Sequence, residues 1–154
     1  MRLHIIARGK IGRSPERELV DRYLKRLTWP HKLTELPDRG GNMPATERNS
    51  RTVLLDEKGE QLSSMDLSKL LERWRNEGVA EVRFCLGAAD GFDEADRAAA
   101  DKLIAFGRAT WPHLMARAML AEQLYRATSI LANHPYLHFS IRMTISIHYS
   151  VPLS

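Results

Sequence analysis

The sequence predicts an α/β fold, a mostly parallel β-sheet flanked by helices. Two observations carry this. Short apolar runs of strand length alternate with longer stretches whose apolar residues recur at helical spacing. Parallel neighbours need a crossover between them, so that alternation favours a parallel sheet covered on both faces. A chain of 154 residues, 44% of them hydrophobic, is long enough to bury one such core.

The first strand is "LHIIA", Leu3–Ala7, ended by Gly9. After the turn "GKIGRSP", residues 15–27 place Leu19, Val20, Tyr23, Leu24 and Leu27 on one helical face, with Ser14 as N-cap and Pro15 in the first turn. "KLTEL" reads as a second strand, and "PDRGGNMPATERNS" as turns without regular structure. "RTVLLDEKG" is the next strand, stopped by charge and glycine. "SSMDLSKLLERWRNEG" is then a helix with Leu67, Leu70, Leu71 and Trp74 on one face and Gly78 at its end. "EVRFCLG" is a strand, "DEADRAAADKLIA" a helix and "RATW" a short strand. Pro112 opens the longest helix, "PHLMARAMLAEQLYRATSILAN". From Leu137 to Val151 apolar residues occupy every odd position and polar residues every even one, the period of a half-buried strand.

Net charge is +4, unevenly spread: +6 over residues 1–52, −5 over 53–102 and +3 over 103–154. Basic segments attract polyanions through release of condensed counterions, and equally suit a solvated surface. Cys85 is the single cysteine, so an intramolecular disulfide and a thiolate metal cluster are excluded. With no secretory leader and no membrane-length apolar run, a cytoplasmic protein is expected. No dinucleotide fingerprint, phosphate-binding loop, zinc-protease motif or nucleophile elbow occurs, which disfavours a Rossmann-type oxidoreductase among other classes. What remains is a group of strand-ending loops, "LLDEKG", "LGAADG" and "GRATWPH". In a parallel sheet these gather beyond the carboxyl ends of the strands, where ligands bind. On the last helix His113 and Arg117 lie one turn apart. Glu122 and Arg126 are also so spaced, in the favourable order; as a surface pair they contribute roughly 0.3–0.5 kcal/mol.

In order along the chain, "LDEKG", "FCLGAADGF", "FGRATWPHLMARAMLAEQLYRA" and "NHPY" closely resemble the RlmH (YbeA-like) family of SPOUT-class methyltransferases; "IIARGK" and "ERELVDRYLKRL" extend the match to the N-terminus. The resemblance implies a SPOUT domain over residues 1–136 with a trefoil-knotted C-terminal region, and an atypical extension over 137–154. It also implies methyl transfer from S-adenosylmethionine to N3 of a pseudouridine in helix 69 of bacterial 23S rRNA within the ribosome, by a homodimer with no membrane partner and no metal. The cofactor would be held at Leu55, Gly87 and the run Phe106, Gly107, Arg108, Ala109, Thr110 and Trp111. Arg117, Arg126 and Tyr136 are the implied catalytic candidates, and His113, His134, His138 and Arg142 the candidates for RNA contact. Three departures accompany the match: Ala88 replaces a second glycine, the segment before "RTVLLDE" is short and lacks a helix, and the tail is foreign to the family. A dimeric RNA-binding module with impaired catalysis is therefore the alternative reading.

Overall fold

The structure is a computed structural model that describes residues 1–133. The expected tail strand, together with His134, Tyr136, His138 and Arg142, lies outside the described residues. Five strands, β1 (Arg2–Arg8), β2 (His31–Leu36), β3 (Ser50–Gln61), β4 (Glu81–Leu86) and β5 (Lys102–Ala105), form one sheet in the order β2-β1-β4-β3-β5. Every neighbouring pair is parallel, as the alternation of elements predicts.

The helices are α1 (Pro15–Arg26), α2 (Ser64–Asn76), α3 (Glu94–Ala99) and α4 (His113–Leu131). The α1 start follows the sequence signal: the Ser14 hydroxyl accepts from the Arg17 N–H, with proline at the first helical position. A reciprocal pair between Ser63 and Asp66 caps α2, and Gly78, at φ +79°, turns the chain out of it.

Right-handed crossovers fix which face each connection covers. The β1–β2 and β3–β4 links both step towards β2, and they carry α1 and α2 to the same face. Leu24, Leu27, Leu67, Leu71 and Trp74 pack there with Leu120 and Leu124 of α4, over Leu3, Ile5, Val53, Val82 and Phe84 of the sheet. The β2–β3 and β4–β5 links step the other way and cover the opposite face, where Ile6, Leu36, Leu54 and Cys85 meet Phe92, Ala100 and Leu103. Residues 37–49 hold no helix, so that cover is thin.

Three elements differ from the sequence reading. The helix expected over "DEADRAAADKLIA" stops at Ala99, and "KLIA" is β5. Asp101 breaks the helix by exchanging two bonds with Thr52: its N–H donates to the Thr52 carbonyl at 2.9 Å, and its carboxylate accepts from the Thr52 N–H at 2.7 Å. That places Lys102 beside Val53, so an edge of β3 overrides local helix propensity. "RATW" is correspondingly no strand but part of a turn, closed by a 2.9 Å bond from Trp111 Nε1 to the Phe106 carbonyl. Strand β3 also runs past its charged residues and Gly59 to Gln61, with a register shift against β5 between Leu55 and Glu60.

At the amino ends of the strands the opposite face buries an ionic cluster. Glu81 accepts from Arg2 and from Arg83 Nε, the latter at 3.0 Å. Arg83 reaches on to the Pro44 and Ala45 carbonyls and the Thr46 hydroxyl, and Arg2 to Glu47, which pins the helix-free connection down. His4 Nε2 lies 2.8 Å from Thr34 Oγ1. Burial lowers the His4 pKa below 6.5 and outweighs the attraction of Glu81, while Arg83 and Lys32 add to the lowering. Burial alone would raise Glu81, yet the bonds and charges of Arg2, with His4 and Arg83, hold it below 4.5.

A depressed folded-state pKa stabilises the fold above the unfolded value and loses that contribution as pH falls towards the folded one. The urea midpoint is therefore expected to fall in two steps. The first begins below about 6.5 as the unfolded state protonates His4, and the second below about 4.5 through Glu81. His4→Gln should abolish the first step and keep the second; an unchanged upper step in that variant would show that another group drives it.

Candidate functional site

The part of β3 just beyond its pairing with β4, the carboxyl end of β5 and the start of α4 enclose a cleft of about 140 Å³. It is lined by Leu55, Asp56 and Glu57 from β3, by Ile104 to Gly107, by Ala109 to Trp111, and by Ala116. Leu55 and the 106–111 run, distant in sequence, thus meet, because Leu55 pairs with Ile104 across the sheet and Phe106 begins the next turn. Gly107 takes φ +92°, a backbone state that a side chain would strain, and this lets the loop reverse within a few residues. Arg108 is exposed on the same loop without bordering the cleft. Apolar side chains, among them Leu55, Ile104, Phe106 and Trp111, share the lining with the acidic Asp56 and Glu57 and with Thr110, a largely apolar cleft with a few polar groups of the kind that binds small molecules.

Gly87 lies elsewhere. It follows Leu86, which pairs with Leu55, so the two strand tips are neighbours. It borders a second cavity of about 460 Å³ on the opposite face, together with Ile6, Arg8, Leu54, Cys85 and Phe92. A Cβ added at Gly87 would meet Gly91 and the Phe92 ring at 3.3 Å, so the glycine admits the loop's own atoms. Burial pushes the Cys85 thiol on this cavity's floor up to about 11, which keeps it protonated and unreactive.

Asp56, Glu57, Ile104, Ala105 and Ala116 line the cleft and Gly59 lies close to it, and the sequence reading named none of them as a site residue. Asp56 is nearly buried beside Leu55; its carboxylate accepts from Arg97 Nε at 3.0 Å and from the Lys58 N–H at 2.9 Å, tying α3 to the tip of β3. Ala116 presents the first turn of α4 to the cleft. Gly59 passes so close to β5 that an added Cβ would lie 2.4 Å from the Ile104 carbonyl carbon. Only the "LDEKG" string, in which Asp56 and Gly59 follow Leu55 at close range, held a signal for any of them.

The charged candidates of α4 separate. Arg126 is bound by Glu122 through Nε at 2.9 Å and through Nη2, the pairing that their spacing predicts; both side chains are mostly covered. Arg117 is not at the surface at all. Its side chain is 1% exposed, with Nη1 donating to Glu35 at 2.6 Å and Nη2 to the Gly9 and Arg8 carbonyls at 3.0 and 3.3 Å. A carboxylate and two carbonyls hold the guanidinium inside. Burial opposes ionisation of Glu35, but the Ile11 N–H and Arg117 outweigh it and keep the carboxyl below its ordinary value. His113 is exposed at the head of α4, 3.9 Å from where a Cβ on Gly9 would stand.

Between α1 and α4 runs an apolar groove of about 450 Å³, lined by Leu19, Tyr23, Phe106, Met115 and Met119 among others. Phe106 borders both this groove and the cleft. Among the described residues no group of acidic, histidine or cysteine side chains could hold a metal ion, and no helix is long and apolar enough to cross a membrane.

Residues 1–138 match the family model described as predicted SPOUT methyltransferase. The chain is 69% identical over 136 residues to a protein of Sphingopyxis alaskensis named ribosomal RNA large subunit methyltransferase H, covering 88% of this chain and 96% of that one. Proteins of the same name from Rhizorhabdus wittichii and Zymomonas mobilis are 66% and 59% identical, each over 88% of this chain and 97% of their own length.

Proposed function

The chain belongs to the SPOUT methyltransferase family, and from that premise we propose that it methylates N3 of a pseudouridine in helix 69 of 23S rRNA, using S-adenosylmethionine. Residues 1–136 form the methyltransferase unit, with its C-terminal region knotted as in the family, and 137–154 an extension. The observation that carries the reading is the meeting of Leu55 with Phe106–Trp111 in one cleft at the carboxyl end of a parallel sheet.

The bound cofactor supplies an already activated methyl group on a sulfonium. Leu55 and the residues of the 106–111 run that border the cleft would hold the cofactor, with Gly87 at the neighbouring end of β4. The protein's task is then chiefly geometric: to hold the imide nitrogen in line with the donor and to keep water from the gap. A cation close to the imide favours loss of its proton. Arg126 is the residue for that role and Tyr136 the one for proton handling or base stacking, and His113, His134, His138 and Arg142 are those for gripping RNA. The groove of Leu19, Tyr23, Met115 and Met119 supports a homodimer, because Phe106 would transmit the second copy's contact directly to the cofactor loop.

Calorimetry with S-adenosylmethionine, followed by transfer of its labelled methyl group to ribosomes lacking the modification, tests the reading. Saturable binding, a methyl mark on the helix 69 pseudouridine and a gel-filtration mass near twice 17.6 kDa are expected. Binding of cofactor and RNA without transfer would favour the alternative, an RNA-binding module whose altered tail has cost it turnover.

A further inference from the structure

We infer that Arg117 is a positioning residue: it locks the Gly9–Arg13 loop as an RNA-phosphate arm beside the cofactor loop. This rests on the methyltransferase reading above. One guanidinium joins three elements. It projects from the second turn of α4, takes the carboxylate of Glu35 at the end of β2, and donates to both main-chain carbonyls where β1 gives way to the loop. The same Glu35 oxygen accepts from the Ile11 N–H at 2.8 Å, so acid and base hold the loop from both sides.

The loop needs holding. Gly9 and Gly12 sit at φ +85° and +59°, and two glycines leave the main chain free to take many other paths. The Ile11 side chain packs against Val20, Ala118 and Ala121, and a longer bond of 3.3 Å from Arg17 to the Gly12 carbonyl is the other side-chain hydrogen bond to the loop among the described residues. Between the glycines and just after them stand Lys10 and Arg13, exposed and without an ion pair among the described residues. They lie in the part of the chain with net charge +6. Nearest to where a Cβ on Gly9 would stand is the Asp38 carboxylate, at 2.9 Å, with His113 Nε2, one residue past the end of the 106–112 loop, at 3.9 Å. A buried planar fork with several donors thus sets the distance between a pair of free cations and the cleft. A lysine at 117 has a single ammonium and cannot bond a carboxylate and two carbonyls in that plane.

The test is a mutant cycle on the full-length protein, with binding to unmodified large ribosomal subunits measured across a salt series, and KM and kcat for methyl transfer. In the wild-type background, Lys10→Ala with Arg13→Ala should lower the slope of log affinity against log salt by about 1.5. Arg117→Lys should raise KM for ribosomes at least tenfold, leave cofactor affinity within about twofold, and reduce the salt slope as the loop double variant does. In its background the loop substitutions should have almost no further effect. If Arg117→Lys does not fold, Glu35→Gln, which keeps shape and acceptor, should show the same coupling. Additive effects, or loss of kcat and stability with KM and salt slope intact, would overturn the inference while leaving the functional reading standing. A wild-type chain that binds no ribosomal RNA overturns both.

Discussion

Gly59→Ala is expected to lower stability by about 3 kcal/mol or more, a drop of about 10 °C in melting temperature for a domain of this size. At most positions where φ is unstrained, glycine to alanine stabilises by about 0.4–1 kcal/mol through the unfolded chain, so even the sign is informative. Gly59 does not take a positive φ. The cost comes from space: an added Cβ would stand 2.4 to 2.6 Å from three main-chain atoms of Ile104. Backbone cannot rotate away as a flexible side chain can, so β5 must move off β3. That movement takes with it Ile104, Ala105 and Phe106, which wall the cleft. Cofactor affinity should therefore fall along with stability. Gly12→Ala serves as the contrast, since φ +59° strains alanine there but nothing lies within 4 Å; its cost should be about 1 kcal/mol with cofactor binding unchanged. Equal melting temperatures for Gly59→Ala and wild type would mean that β5 lies farther from β3 than described.

Much of this architecture was legible because buried faces impose a period. β1, β4, α1 and α2 follow the apolar pattern closely, and Ser14, Pro15 and Gly78 mark ends where backbone chemistry requires them. Residues 94–105 defeated local reading because "DRAAAD" favours helix while the partner that makes "KLIA" a strand, β3, lies some fifty residues away. The 106–111 run was recognisable as a string, and five of its six members border the cleft with Leu55. Gly87 was not separable from them, since whether a strand-end glycine faces one side of a sheet or the other depends on the loop beyond it. The burial of Arg117 was not legible for a different reason. Charged side chains are rarely fully buried, so a basic residue beside a conspicuous motif is taken for a surface group, and its partner Glu35 is invisible until β2 is placed next to β1.

Trp111→Ala is expected to weaken S-adenosylmethionine binding at least tenfold, about 1.4 kcal/mol, while shifting the melting temperature by no more than about 2 °C. The two effects part company because Trp111 is 40% exposed and so contributes little to the core, yet it both walls the cleft and closes the 106–111 turn. An aromatic face against a bound heteroaromatic ring adds about 0.5–1.5 kcal/mol beyond the area it covers. Loss of the 2.9 Å bond to the Phe106 carbonyl removes the restraint that keeps the loop shut around Gly107. Trp111→Phe separates these parts: it keeps a ring and loses the bond, and should weaken binding about threefold. Fluorescence offers a direct reading. Trp74 is buried in the helix face of the core and Trp29 lies 4.9 Å beneath Arg75, so a ligand-induced emission change is assignable to Trp111. That change should be present in the wild type and absent from Trp111→Phe. Undiminished affinity in Trp111→Ala would move the cofactor out of this cleft, and the larger cavity bordered by Gly87 would then become the place to look for it.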